Sequence, residues 1–202
     1  MAKTEAEQFF DTLVSKYIWP YFKKRGYKKT GNNFRYYDHT GWGKIVNFQK
    51  SIYYNKEFIH FTVNTGLYLS EAEQYHCGTT SFEKFQESMC MLRQRIGNLS
   101  DLKENLWFDI DNNVNKVDLT QTVEGYFVKY IIPYLDAINS KEDILKFFIN
   151  GHRSHYIAAQ IETLFANGYT ELAKQQLEKE LDKTTNSRYL EVLTKISERY
   201  AN

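Results

Sequence analysis

The chain has 202 residues, with 26 Lys and Arg against 25 Asp and Glu, so its net charge of +1 argues neither for nor against a nucleic-acid partner. Two cysteines, Cys77 and Cys90, are too few for a disulfide framework and are typical of a reducing compartment. Because the first residues lack the apolar run of a secretory signal and no stretch approaches the roughly 20 apolar residues that span a bilayer, we expect a cytoplasmic protein with no membrane contact.

A long amphipathic helix is predicted over residues 5–25. Thr4 and Glu7 have the spacing of a capping box at its start, and Gly26 suits the position just past its end. Pro20 predicts a kink or a split. The apolar stripe of this helix, which we expect to cover one face of a sheet, consists of Phe9, Phe10, Leu13, Val14, Tyr17, Ile18, Tyr21 and Phe22.

Three strands in succession are predicted over residues 33–69, because apolar and polar residues alternate there with a period of two. Such alternation is typical of an antiparallel sheet with one buried face. The buried face is expected to carry Val46, Phe48, Ile52, Tyr54, Ile59, Phe61, Val63, Leu67 and Leu69.

The register of the second hairpin follows from matching apolar with apolar residues, since a slip of one residue would turn every side chain to the wrong face. This matching pairs Phe48 with Val63 and Ile52 with Ile59, across a loop of residues 54–57.

The first hairpin is predicted by the same matching. Asp38 closes on Lys44 across residues 39–43, a loop length that is common in hairpins. This closure sets Phe34 against Phe48.

The next segment allows two interpretations. Residues 70–80 are predicted to form a polar loop, followed by a short helix capped by Thr80 and Glu83. Residues 89–96 alternate as a fourth strand would, although a continuing helix is also compatible with so short an apolar run. The strand would place Cys90, Leu92 and Ile96 on the core face, and Met91, Arg93 and Arg95 on the polar face. Residues 106–110 are predicted to be a short, buried, extended anchor.

From Asp118 onward the chain is predicted to be helical. Asp118 and Gln121 resemble a capping pair, and Pro133 predicts a second kink. Ser140 is expected to cap a helix that Gly151 ends. Three more helices are predicted over residues 154–168, 170–183 and 186–200.

These elements predict an α+β fold, in which a four-stranded antiparallel meander is covered by the N-terminal helix and followed by a helical half. We expect an α+β domain over residues 1–139. Residues 140–202 would form a helical C-terminal extension packed on that domain.

The face of the sheet opposite the core has an unusual composition. It carries amides, hydroxyls and arginines, whose geometry suits directed hydrogen bonds, where a solvated face usually carries Lys, Glu and Thr. The candidate ligand- or partner-binding residues are Asn47, Gln49, Ser51, His60, Thr62, Asn64, Arg93 and Arg95, with Arg35, Tyr37 and Tyr53 at the rim. The alternative is a buried, internally hydrogen-bonded layer covered by the C-terminal helices.

No catalytic, phosphate-loop or zinc signature is present in the sequence. The metal-binding candidates are scattered and lack zinc spacing: His76, Cys77, Cys90, His152 and His155. A nucleophilic Cys77 has no identifiable orienting partner, and no strand face carries a pair of carboxylates. We therefore expect no catalytic residues, no metal and no cofactor, and the sequence leans against an enzyme.

Several segments resemble a bacterial family, domain-of-unknown-function family 4304. They are Arg25-Gly-Tyr-Lys-Lys29, Asn32-Asn-Phe-Arg-Tyr36, Val46-Asn-Phe-Gln-Lys-Ser51, Phe61-Thr-Val-Asn-Thr-Gly66, Cys90-Met-Leu-Arg-Gln-Arg-Ile-Gly97 and Leu106-Trp-Phe-Asp-Ile110. The resemblance covers residues 5–139, with Trp107-Phe108 standing where members often carry two Trp. It implies a small α+β bacterial domain without an established activity, and it supports a strand at residues 90–97.

Three functional hypotheses follow. The favoured one is a non-enzymatic interaction or regulatory module, whose protein partner of unknown identity docks on the polar face or on the C-terminal helices. The second is a small-molecule or anion binder, or an enzyme, that uses Arg93 and Arg95 against a carboxylate or phosphate. The third and least favoured is nucleic-acid binding through the basic cluster at Lys23–Lys29.

Overall fold

The centre of the molecule is a six-stranded antiparallel sheet, seen in a computed structural model that describes residues 2–53, 55–100 and 105–201. The strands are β1 (Lys28–Thr30), β2 (Asn33–Asp38), β3 (Trp42–Lys50), β4 (Ile59–Leu69), β5 (Leu92–Arg95) and β6 (Phe108–Ile110). The first five are neighbours in chain order, and β6 pairs with β4 further along the edge that β5 occupies. The α+β class is confirmed, and the sheet has six strands rather than the four predicted.

The register predicted for the second hairpin is confirmed. Phe48 pairs with Val63 and Asn47 with Asn64, so the apolar residues of both strands share one face. The predicted burial of Ile52 and its pairing with Ile59 are wrong. β3 ends at Lys50, and in the turn that follows the Ile52 side chain is 89% exposed. Tyr54 lies outside the described residues.

The first hairpin closes two residues earlier than predicted. Asp38 pairs with Trp42, and Phe34 pairs with Val46 instead of Phe48. The turn is shorter because Asp38 Oδ1 accepts the backbone N–H of Thr40 at 2.9 Å and Gly41 adopts a φ of +96°. A shift of two residues keeps every side chain on its predicted face.

The N-terminal helix is interrupted in the middle. It consists of α1 (Glu5–Thr12), a π-helical stretch (Leu13–Ile18) and α2 (Trp19–Lys23). The capping box is confirmed, since Thr4 Oγ1 accepts the N–H of Glu7 and the Glu7 carboxylate accepts the N–H of Thr4. The predicted split occurs just before Pro20, which has no N–H to donate to the preceding turn. Gly26, at a φ of +79°, follows the helix end.

A helix, α3 (Ser70–Cys77), replaces the polar loop predicted after β4. Its buried Glu73 accepts hydrogen bonds from the Tyr68 hydroxyl at 2.5 Å and from the Ser81 N–H at 2.6 Å. Two 3₁₀ turns, at Phe82–Lys84 and Glu87–Met89, replace the predicted capped helix. The strand interpretation of the following segment is confirmed by β5, which leads into α4 (Ile96–Leu99).

Cys90 and Met91 occupy the opposite faces from those predicted. Met91 is buried in the main core, whereas Cys90 is buried on the other face of the sheet with Ile45, Tyr68 and Phe85. The prediction was wrong because β5 begins only at Leu92, so strand alternation does not extend back to these residues. Cys90 instead packs over Gly66, where an added Cβ would lie 2.5 Å from the cysteine Sγ.

The chain after residue 115 is helical, as predicted. Its helices are α5 (Lys116–Tyr126), a π-helical stretch (Phe127–Ile131), α6 (Ile132–Asp136), α7 (Lys141–Ile149), α8 (Ile157–Ala166), α9 (Thr170–Lys183) and α10 (Ser187–Arg199). Asn115 caps α5, three residues earlier than the predicted Asp118. Ser140 caps α7 as predicted, and Gly151, at a φ of +87°, follows it.

The second π-helical stretch repeats the first in sequence as well as in shape. Lys16-Tyr-Ile-Trp-Pro-Tyr-Phe22 and Lys129-Tyr-Ile-Ile-Pro-Tyr-Leu135 share a pattern in which the proline follows the wide turn. The two interrupted helices meet through Phe22 and Phe127, whose ring centroids are 5.8 Å apart. Together they cover the apolar face of the sheet.

Phe48 lies at the centre of the core. Its ring stacks on Phe127 at 5.6 Å, and the rings of Phe10, Phe34 and Phe61 surround it at 5.5–6.4 Å. The same apolar cluster continues through the C-terminal helices as far as Ile196. The C-terminal helices therefore share one buried cluster with the sheet, while the division into a domain over residues 1–139 and an extension over 140–202 stays a prediction.

Candidate functional site

A row of hydrogen-bonded side chains crosses four strands of the polar face. Asn33, Asn47, Asn64 and Arg95 are consecutive partners in the register of β2, β3, β4 and β5. Asn47 Nδ2 donates to Asn33 Oδ1 at 2.8 Å, Asn64 Nδ2 to Asn47 Oδ1 at 3.4 Å, and Arg95 Nε to Asn64 Oδ1 at 3.3 Å. Gln49 joins the row, since its Oε1 accepts a second bond from Asn64 Nδ2 at 2.7 Å. We call these five residues the amide row.

Arg95 ends the amide row at β5 and is held on three sides. Its Nε contacts Asn64, its Nη1 donates to Asn105 Oδ1, and its guanidinium carbon lies 5.3 Å from the centroid of the Trp107 ring. Within the described residues, none of its bonds goes to a carboxylate. A partly exposed guanidinium that is fixed by neutral groups can donate hydrogen bonds to the carboxylate or phosphate of a binding partner.

Arg93 is engaged within the molecule. Its Nε and Nη2 donate to the two carboxylate oxygens of Glu87 at 2.7 and 2.9 Å. The hydrogen bond to Glu87 raises the pKa of the Arg93 guanidinium. Arg93 therefore ties β5 to the preceding 3₁₀ turn, and among the described residues its charge is paired with a carboxylate whereas that of Arg95 is not.

His60 has a carboxylate partner that the sequence analysis missed. Its Nδ1 lies 2.5 Å from Oδ1 of Asp109, which faces it directly from β6. The imidazole also stacks on the Trp107 ring, with centroids 4.5 Å apart and planes 7° apart. Because Trp107 contacts both His60 and Arg95, it connects two predicted site residues.

The two hydroxyl residues of the predicted site have internal partners. Thr62 is buried, and its Oγ1 donates to the carbonyl oxygen of Leu106 at 2.7 Å. Ser51 Oγ accepts the backbone N–H of Tyr53 at 3.2 Å, within the turn after β3. These contacts hold the sheet edge and the hairpin tip in place.

One half of the polar face is covered, by the segment of residues 79–90. Arg35, expected at the rim, is buried there and its Nε donates to the carbonyl oxygen of Phe85 at 2.5 Å. Tyr37, also expected at the rim, packs against Phe85 at the edge of this layer. Tyr53, by contrast, is 83% exposed at the hairpin tip. The cover therefore comes from residues before β5 and not from the C-terminal helices that the alternative invoked.

A cavity of about 430 Å³ opens on the uncovered half. It is lined by Asn64, Glu87, Arg93, Gln94, Arg95, Asn98, Asn105 and His155. The structure thus brings Asn64, Arg93 and Arg95 together, as the sequence predicted. Among the described residues, the helical C-terminal half contributes His155 alone to this lining.

Two side chains of the basic cluster at Lys23–Lys29 form ion pairs with carboxylates. The Arg25 guanidinium makes a bidentate contact with Asp136 at 2.8 Å, and Lys28 Nζ lies 2.7 Å from Glu83. Lys24 lies over the ring of Tyr21. The cluster therefore offers less free positive charge than its sequence suggests.

The metal-binding candidates do not converge. Within residues 2–53, 55–100 and 105–201, no three His, Cys, Asp or Glu side chains are close enough to hold a metal ion. No helix in the same ranges has the length and apolar content to cross a bilayer.

Comparison with known protein families gives a match, which covers more than half of the chain. Residues 18–137 match the model of a family described as a domain of unknown function, DUF4304. The chain belongs to the DUF4304 family. No curated protein and no solved structure gives a significant match.

The residues of the candidate site lie partly inside and partly outside the DUF4304 match. The amide row, the His60–Asp109 pair and Trp107 all lie within residues 18–137. His155 and the helices α7 to α10 lie beyond it. Asp109, Trp107 and Asn105 were not among the predicted site residues. The extended pattern predicted at residues 106–110 was the signal that could have placed Trp107 and Asp109 beside β4.

Proposed function

We propose that the protein is a non-enzymatic interaction module, and that the open half of its polar face docks a protein partner through an acidic side chain. The observation that carries this proposal is Arg95, a guanidinium fixed by Asn64, Asn105 and Trp107 without a carboxylate partner among the described residues. An incoming carboxylate would complete the charge pair and could be held by two parallel hydrogen bonds.

The hairpin tip beside the amide row supports a protein partner. Ile52 and Tyr53 are 89% and 83% exposed just past the end of β3, three and four residues beyond Gln49. Arg, Tyr and Trp are the residues that most often dominate the binding energy of protein interfaces. Arg95 and Trp107 on the polar face, together with Tyr53 at the hairpin tip, provide one of each.

A small anionic ligand is the second candidate. The cavity beside Arg95, of about 430 Å³, falls within the size range of small-molecule sites. The neighbouring amides of Asn98 and Asn105 could donate to the oxygens of a carboxylate or phosphate. Nucleic-acid binding has less support, because Arg25 and Lys28 are already paired with carboxylates.

The test compares affinity capture on the wild-type protein with capture on Arg95→Ala and Tyr53→Ala variants. A partner should be retained by the wild type, released at raised ionic strength, and lost from both variants, whereas Lys195→Ala on the remote helix α10 should retain it. With the purified partner, the loss should correspond to about 2 kcal/mol, or roughly thirtyfold in Kd. Equal capture by the wild type and Arg95→Ala, or no specific capture by the wild type, would contradict the proposal.

The anion alternative is tested separately with citrate and inorganic phosphate. If either ion binds saturably and loses affinity in Arg95→Ala but not in Tyr53→Ala, the small-ligand function replaces the protein-docking function. If neither ion binds while a protein partner does, docking is favoured.

A further inference from the structure

A second concave site lies between the helix α3, which belongs to the DUF4304 match, and the helices α8, α9 and α10, which lie beyond it. Its volume is about 610 Å³, within the range of pockets that hold small organic molecules. It is distinct from the cavity beside Arg95, with His155 as the one lining residue that the two have in common.

Aromatic rings form much of the wall of this groove. They belong to Tyr75, His76, Tyr156 and Tyr189, and the rings of His76 and Tyr156 lie 4.0 Å apart. Burial raises the pKa of Tyr75 to about 12 and also raises that of Tyr189, so both phenols stay neutral at physiological pH. Ile157 and Val192 add apolar surface. The faces of aromatic rings attract organic cations.

Two buried carboxylates line the same groove. Glu162 on α8 and Glu180 on α9 are only 6% and 8% exposed. Their hydrogen-bond partners, Arg199 and Arg153, have side chains that are 58% and 54% exposed, and neither arginine lines the groove. Each arginine bonds Oε1 of its carboxylate, so within the described residues Oε2 of both carboxylates has no recorded hydrogen bond.

We propose that this groove binds a small organic cation, in which an amine or guanidinium group is attached to an apolar body. The rings would enclose the apolar body and the adjacent positive charge, and the free oxygens of Glu162 and Glu180 would accept hydrogen bonds from its N–H groups. Lysine and arginine are absent from the described lining, so the groove wall presents acceptors, and Arg153 and Arg199 pair with the two carboxylates from outside it.

Isothermal titration calorimetry with a matched pair of probes tests this proposal. The probes are 2-phenylethylamine, which is cationic, and 2-phenylethanol, which has nearly the same shape without the charge. At about pH 8, where histidine is mostly neutral, the amine should bind at least about tenfold more tightly than the alcohol. Equal binding of the two probes, or no saturable binding of the amine, would overturn the proposal.

Variants of the carboxylates locate the bound probe. Glu162→Gln and Glu180→Gln should each weaken binding of the amine by about tenfold, as expected when a charge-assisted hydrogen bond becomes a neutral one. Glu191→Gln provides a matched control, because Glu191 is paired with Lys195 on α10 and does not line the groove. Equal effects of all three substitutions would show a non-specific charge effect and contradict the proposal.

Arg199→Met separates recognition from a purely structural salt bridge. If Glu162 recognises the cation, removal of its competing arginine should strengthen binding of the amine by about three- to tenfold. If the pair serves only to hold α10 on α8, the variant should melt at a lower temperature while its affinity for the amine stays unchanged. This second result would overturn the assigned role of Glu162.

Discussion

Asn47 and Asn64 face each other directly across β3 and β4, and Asn64 Nδ2 donates to Asn47 Oδ1 at 3.4 Å. The same Nδ2 also donates to Gln49 at 2.7 Å, while Asn64 Oδ1 accepts from Arg95. Asn64 is buried although it lies on the polar face. Asn64 is thus the central member of the amide row. It links Arg95 on β5 to Asn47 and Gln49 on β3, so the position of Arg95 depends on these hydrogen bonds.

Asn64→Ala tests this coupling. The substitution removes three hydrogen bonds from a buried position, and we expect the free energy of unfolding to fall by about 1–3 kcal/mol. A double-mutant cycle with Arg95→Ala should give an interaction energy of about 0.5–1.5 kcal/mol, measured by urea denaturation. The cycle of Asn64→Ala with Lys195→Ala, a remote and exposed site, should be additive. Additivity in both cycles would mean that the row does not act as a unit.

Phe48→Ala tests the position of the core. Four aromatic rings surround Phe48, so its truncation should leave a cavity and lower the free energy of unfolding by about 3–5 kcal/mol. Ile52→Ala is the matched control from the same predicted apolar series, and it should change stability by less than about 0.5 kcal/mol because Ile52 is exposed. Chemical denaturation of both variants checks the pair, and similar losses would contradict the observed end of β3.

The sequence predicts which side chains of the long strands face the core. Because one face of the sheet is buried, the strand pairing can differ from the true one only by an even number of residues. Phe48 and Val63 were paired correctly for this reason. The first hairpin was displaced by two residues, since a shift of two leaves the same side chains in the core. Only the turn chemistry of Asp38 and Gly41 distinguishes the two pairings.

Errors arose where distant contacts decide the local structure. Nothing in residues 70–77 shows that Glu73 is buried, because its partners are Tyr68 and Ser81. The candidate site was incomplete for a related reason. Asp109 and Trp107 reach His60 only because β6 returns to β4 after an intervening strand and helix, a pairing that alternation within one segment cannot reveal.

Gly66→Ala tests the cover over the second half of the polar face. An added Cβ would lie 2.5 Å from Cys90 Sγ and 2.7 Å from Cys90 Cβ, so the segment before β5 would have to move. We expect a loss of about 1–3 kcal/mol in the free energy of unfolding, as for other overpacked sites. Cys90→Gly should recover part of this loss in the double variant, because both contacting atoms are removed. A neutral Gly66→Ala would contradict the close packing.

Asp143 is expected to make stability depend on pH in the acidic range. The hydrogen bond from Lys146, together with that from the N–H of Asn139, lowers the pKa of Asp143 to about 2 from 3.8. A depressed carboxyl pKa stabilises the fold above the unfolded value of about 4, and this contribution is lost as the pH falls through about 2. Asp143→Asn should therefore be less stable than the wild type near neutral pH, by about 1 kcal/mol after solvent screening. Urea denaturation at pH values between about 5 and 2 should show this difference shrinking, and a constant difference would contradict the assignment.

Arg93→Ala and Arg95→Ala form a matched pair on one strand that separates structural from binding roles. Arg93 holds Glu87 by two hydrogen bonds, and its loss would leave a largely buried carboxylate without its cation. We expect Arg93→Ala to lower the free energy of unfolding by about 1–3 kcal/mol. Arg95 contacts Asn64, Asn105 and Trp107, which are neutral, so its loss strands no buried charge.

Arg95→Ala should therefore cost less stability than Arg93→Ala, about 1 kcal/mol or less, while it removes binding of the acidic partner. Thermal and urea denaturation of the two variants give the order of stability without knowledge of the partner. The double variant Arg93→Ala with Glu87→Gln is the control, because neutralising the stranded carboxylate should restore part of the lost stability. If Arg95→Ala proves the more destabilising of the two, its guanidinium is a structural element of the sheet, and the assignment of Arg95 as the docking anchor is wrong.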